Sequence, residues 1–156
     1  MLLAGCHPAD TGNSAAPAPQ PTVTAAPTPR PSASETAALG GYAGHYPFDA
    51  VGGVRFLDQP AVTRAVAALV PDAKVRAWVL GGDGPGTPIV DQAGTLLAWG
   101  CETHNCGGHD WTISIAPDGS GASVCYHDAA TMQERARWYL APGRSEMRDG
   151  DCPSGG

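Results

Sequence analysis

Thr95-Leu96-Leu97-Ala98-Trp99-Gly100-Cys101-Glu102-Thr103-His104-Asn105-Cys106-Gly107-Gly108-His109-Asp110-Trp111-Thr112-Ile113-Ser114-Ile115-Ala116 is the stretch that decides the fold. Its two flanks, 95–101 and 110–116, are short, apolar and bounded by glycine or proline, which predicts two strands. Between them, two cysteines bracket four residues. In an oxidising compartment Cys101 and Cys106 can close a tight ring, leaving Thr103 and His104 as the central residues most able to project. A ring this small adds little chain-entropy stabilisation. Its larger effect is local, because a tip arranged in advance lowers the ordering cost of binding.

Working outward, further strands are expected at 87–90, 122–127 and 135–140, the last carrying Trp138 and Tyr139. Pro117-Asp118-Gly119-Ser120-Gly121 reads as the turn of a hairpin. Upstream, Asp58 is placed to cap a helix over 59–70, with Pro60 in the first turn where its missing N–H costs little. Val62, Ala65, Val66, Leu69 and Val70 then share one face. Pro71-Asp72 should end that helix. Residues 74–80 alternate like a strand but suit a short helix carrying Trp78 equally well. The expected fold is α+β: an antiparallel β-sheet of about five strands, one or two short helices packed on one face, and a protruding disulfide-closed loop.

The 156 residues divide by composition. Residues 1–6 end in Leu3-Ala4-Gly5-Cys6, which resembles the remnant of a bacterial lipoprotein signal with Cys6 as the lipidated residue. Residues 7–40 are rich in Pro, Ala, Thr and Ser and poor in large apolar groups, so a disordered linker is expected there. Residues 41–156 hold the folded domain. An anchor followed by a spacer implies an exported head in the periplasm, tethered by lipid to the outer membrane. His7, after the anchor, is not the aspartate of an inner-membrane retention signal. No stretch approaches the roughly 20 apolar residues of a spanning helix, so membrane association would be by the lipid anchor only.

Formal net charge is -6. That excludes nucleic acid, which rewards a basic surface, and suits a basic protein partner. Five cysteines leave four after Cys6, enough for two disulfides. With Cys101 joined to Cys106, Cys125 and Cys152 form the second pair, a staple from a strand to the C-terminus.

The chain offers little for catalysis and no cofactor motif. The GGDGPG run at 81–86 lacks the Lys-Ser/Thr of a phosphate loop. Cys101, His104, Cys106 and His109 could be read as four metal ligands, but their spacing is not a usual zinc pattern and export favours a disulfide over thiolates. No metal site is assigned. His109 and His127 read as ordinary strand residues, and His45 lies before the domain core.

The run Cys101-Glu102-Thr103-His104-Asn105-Cys106 resembles the loop C-K-P-H-D-C that marks the bacterial inhibitors of vertebrate lysozyme. Looser similarity extends over 54–140. The Cys-x-x-His-x-Cys frame matches; Glu102, Thr103 and Asn105 replace a basic residue, a proline and an acidic residue. The resemblance implies a non-enzymatic inhibitor that inserts His104 into a lysozyme's active-site cleft against its catalytic carboxyls, and implies a homodimer. Two other functions suit the same sequence: an envelope module regulating the cell's own lytic transglycosylases, and a structural lipoprotein without an enzyme target.

Overall fold

The computed structural model describes residues 39–82 and 84–155. The expectations for Cys6 and for most of the linker lie outside the described residues. Leu39, near the end of the expected linker, is buried in the core beside Tyr42.

A small hairpin, β1 (Ala50–Val51) and β2 (Val54–Arg55), leads into a 3-10 turn over Phe56–Asp58. Two helices follow, α1 (Pro60–Leu69) and α2 (Ala73–Gly81). The chain then lays down an antiparallel meander: β3 (Val90–Gln92), β4 (Thr95–Cys101), β5 (His109–Ile115) and β6 (Ser123–Asp128). A short helix, α3 (Ala129–Met132), precedes β7 (Arg135–Ala141) and β8 (Arg144–Asp149). All six strands of the meander pair with their sequence neighbours. No helix among the described residues is long and apolar enough to cross a membrane.

Alternation along the strands assigns the two faces. Leu96, Ala98, Trp111, Ile113, Ile115, Val124, Tyr126 and Tyr139 belong to the core cluster that also includes the helices. Helix α1 presents Val62, Val66 and Leu69 to it from helical spacing. Each such buried side chain contributes about 1.5–3 kcal/mol. Gly100 lies opposite Trp111 in the ladder, and a β-carbon on it would stand 2.7 Å from the Trp111 ring, so the strand needs a glycine there.

Two expectations are corrected, and one open alternative is decided, by local chemistry. Asp58 does not cap α1; Gln59 holds that position without a side-chain hydrogen bond. The Asp58 carboxylate instead accepts from Arg55 Nε and Nη2 at 2.7 and 3.0 Å, and this pairing holds its pKa below the usual carboxylate range. The ambiguous stretch 74–80 is helical, because Asp72 Oδ1 accepts from the backbone N–H of Lys74 and Val75 at 2.7 and 3.3 Å. The strand expected at 87–90 begins only at Val90, since Ile89 pairs instead with the 44–45 segment through Ile89 N to His45 O at 2.8 Å. Strand β8 went unforeseen. Its sequence RSEMRD has no apolar alternation, as suits a charged edge strand.

The opposite face of the sheet is covered by the C-terminal segment. Cys152 is joined to Cys125 of β6. Thr112 Oγ1 donates to the Pro153 carbonyl at 2.6 Å, and Thr87 Oγ1 to that of Ser154 at 2.9 Å. Beneath this strap lies a buried pair, Asp110 of β5 directly across from His127 of β6. His127 Nδ1 is 3.0 Å from Asp110 Oδ2, and its Nε2 donates to the Gln133 carbonyl at 2.9 Å. Asp110 Oδ1 accepts from the Cys152 N–H at 2.9 Å. His127 is thus no ordinary strand residue.

Burial raises the Asp110 pKa against the pull of its hydrogen bonds. Burial opposes charge on His127, but the Gln133 carbonyl and Asp110 outweigh it, and its pKa rises. Both directions describe a pair that retains a proton in the folded state. The His127 contribution is therefore complete below the unfolded imidazole value of about 6.5. It is lost as pH rises through the higher folded value. Thermal unfolding followed from about pH 6 to about pH 9 should show Tm falling with pH, with a flatter slope in His127→Gln. Equal slopes would remove this pair from the pH dependence.

Candidate functional site

Strand β4 ends at Cys101 and β5 starts at His109, so residues 102–108 protrude between them. The Cys101–Cys106 disulfide closes this segment, with the two Cα atoms 4.8 Å apart. At its base, Glu102 N donates to the His109 carbonyl at 2.9 Å, extending the ladder by one bond. Asn105 N donates to the Glu102 carbonyl at 3.0 Å and closes a four-residue turn over Thr103 and His104. Gly108 N and His109 N both donate to the Asn105 carbonyl, at 3.0 and 2.9 Å, and bring the chain back.

Within that turn His104 has φ +66°, while Thr103 stays at negative φ. A left-handed residue at the third turn position alone is the type II pattern, which favours glycine or asparagine there. A β-carbon in that conformation costs roughly 1–2 kcal/mol, so the surrounding ring holds His104 against its preference. Glu102, Thr103, His104 and Asn105 are all exposed.

Side chains tie the turn a second time. Glu102 Oε2 accepts from Asn105 Nδ2 at 2.7 Å and lies 3.3 Å from His109 Nδ1. These two bonds, Asn105 first, hold the Glu102 carboxyl below its usual range. His109 Nε2 is 3.2 Å from the Tyr126 hydroxyl. Burial pushes that hydroxyl up to about 12, so it keeps its proton. The His109 ring lies flat on Trp78 of α2, centroids 3.7 Å apart and planes 10° from parallel.

The loop also leans on the glycine-rich segment after α2. Cys101 N donates to the Pro85 carbonyl at 2.9 Å. A β-carbon on Gly84 would fall 1.8 Å from the Cys101 carbonyl oxygen, so this backbone approach admits glycine alone. Here Gly84 and Pro85 support the loop's base. An open groove of about 420 Å³ beside it is lined by Phe48, Trp78, Gly84, Glu102 and Thr103 among others.

Cys101, Glu102, Thr103, His104, Asn105 and Cys106 are therefore brought together on one projection. Cys101 and Cys106 are bonded to each other and offer no thiolate to a metal. Among the described residues no group of three or more His, Cys, Asp or Glu could hold an ion. His45 belongs to the segment paired with Ile89, outside the loop. The residues overlooked in the sequence are His109, Trp78 and Tyr126. Period-2 counting from Trp111 does place His109 on the helix-covered face, but only the packing of α2 shows what meets it there.

The family model described as inhibitor of vertebrate lysozyme (Ivy) matches residues 61–146, from α1 through the loop into β8. The chain belongs to the Ivy family. Neither a curated protein nor a solved structure matches it. The family is one of inhibitors, and its name supplies the partner class, lysozyme. The matched region includes the whole cysteine-closed loop, with His104 at its exposed turn.

Replacing His104 by glycine should relieve the left-handed backbone and, after the extra unfolded-state entropy of glycine, raise stability by about 0.5–1 kcal/mol. Urea unfolding monitored by tryptophan fluorescence would measure it. A loss of stability would show that the imidazole itself supports the fold.

Proposed function

We propose that this protein inhibits a lysozyme by occlusion, inserting the 101–106 loop into the active-site cleft with His104 foremost. The observation that carries the reading is an imidazole exposed on a disulfide-closed turn in a chain of the Ivy family.

The chemistry is complementary. Retaining glycosidases of this kind place a protonated and an ionised carboxyl about 5 Å apart, flanking the bond to be cut. An imidazole carries a hydrogen-bonding nitrogen on each side and can engage both groups at once. Its positive form would pair with the carboxylate more strongly, as charge-assisted bonds do. Occupying that position displaces substrate and the hydrolytic water together. The acidic net charge of -6 suits approach to a basic enzyme. Exposed Thr103 and Asn105 flank the imidazole and would meet the cleft walls.

The same proposal includes export and attachment through a lipidated Cys6, supported by Leu3-Ala4-Gly5-Cys6 and the Pro-rich 7–40 segment. The head would then work at the membrane surface, ahead of the peptidoglycan the enzyme attacks.

Lysis of a peptidoglycan suspension by lysozyme should slow on adding stoichiometric wild-type protein. His104→Ala should weaken inhibition at least tenfold, as removal of a central buried anchor does. Unchanged lysis with wild type would defeat the proposal. Equal potency of His104→Ala would remove His104 from the mechanism while leaving inhibition in place.

A further inference from the structure

His109 lies outside the cysteine ring, at the first position of β5. Its surroundings are more elaborate than a strand end requires. One face of its ring stacks on Trp78 at 3.7 Å, and Tyr126 stands edge-on to it at 5.6 Å. Tyr126 is edge-on to Trp78 as well, at 5.7 Å, so the three rings form one packed group. Both nitrogens of His109 are engaged, Nδ1 by Glu102 and Nε2 by Tyr126. An ionised carboxylate can only accept, so Nδ1 carries a proton; in the neutral ring Nε2 then accepts from the Tyr126 O–H.

The same Glu102 oxygen accepts from Asn105 Nδ2. Glu102 and Asn105 are the two ends of the turn that carries Thr103 and His104. A continuous path of contacts thus runs from the sheet to the tip: Tyr126, His109, Glu102, Asn105. The disulfide does not duplicate it. It joins Cys101 to Cys106, one residue outside each end of the turn. Across the turn itself there is one backbone bond, Asn105 N to Glu102 O, and this side-chain tie. A left-handed backbone at a residue with a β-carbon persists only where its surroundings over-determine it.

We infer that His109 is a positioning residue, which with Trp78 and Tyr126 anchors the Glu102–Asn105 clamp and thereby holds His104 in its binding conformation. Affinity for the target cleft is then set partly by a histidine outside the loop. Glu102, where the C-K-P-H-D-C pattern has a basic residue, becomes the acceptor that transmits the constraint. The affinity readout rests on the function proposed above; the order of the free loop does not.

Three variants test this. His109→Phe keeps a ring to stack on Trp78 and loses both hydrogen bonds. Glu102→Met removes the acceptor at an exposed position. Glu102→Gln keeps a carbonyl that can accept from Asn105 and His109. Two quantities are read: amide hydrogen exchange at Asn105 in the free protein, and the dissociation constant with lysozyme. When only a fraction of loops is competent, affinity falls by that fraction. His109→Phe and Glu102→Met should each speed Asn105 exchange and raise Kd by about tenfold, with Tm little changed. The double variant should be no worse than either single, the mark of one shared interaction. Glu102→Gln should keep wild-type exchange at Asn105. Wild-type exchange in His109→Phe would overturn the inference, as would additive losses or a Glu102→Gln as defective as Glu102→Met. If wild type binds no lysozyme, the proposed function falls and exchange at Asn105 alone decides the clamp.

Discussion

Cys101 pairs with Asp110, and Gly100 with Trp111, across β4 and β5. Much of the molecule depends on that register. Side chains alternate between faces with a period of two, so a slip of one residue would exchange every neighbour. In the observed register Trp111, Ile113 and Ile115 enter the helix-covered core, and Asp110 turns to the other face to meet His127. His109 is brought against Trp78, and Cys101 is left at the strand end within bonding reach of Cys106. The protruding loop, the buried ion-pair face and the aromatic group are three consequences of one pairing.

The two faces of the sheet do different work. The helix side is apolar and is closed by α1 from one side of the chain order. The other side is closed by the last residues described, through Cys152 and the carbonyls of Pro153 and Ser154. A polar pair under that strap is tolerable because every hydrogen-bonding atom it exposes to the interior has a partner. Asp110 is tied to both His127 and the Cys152 N–H, so the strap and the pair support each other.

At the loop the balance is between a conformation that the backbone disfavours and the bonds that impose it. His104 pays the cost of positive φ, and the ring returns a side chain held outward on a turn of fixed geometry. Glu102 illustrates how a substitution within a motif acquires a different role. A basic residue there could not accept from Asn105 and His109; the carboxylate does both. The acidic side chain nearest the tip is thereby engaged within the molecule.

Much of this architecture is legible along the chain. The strands at 95–101, 110–116, 122–127 and 135–140 are found within a residue or so of their expected bounds, because each carries its apolar residues and turn signals locally. The face of α1 follows from spacing alone, and the cysteine frame around His104 is visible as a motif. What the chain order conceals are pairings between distant residues. Strand β8 forms because β7 offers it an edge, and Arg148 finds the Trp138 ring at 4.4 Å; neither is written in RSEMRD. Periodicity assigns His109 and His127 each to a face of the sheet. The partners waiting there, Trp78 and Tyr126 for one and Asp110 and Gln133 for the other, are delivered by tertiary packing, because hydrogen bonds and ring contacts depend on distances in space that local residue order does not set.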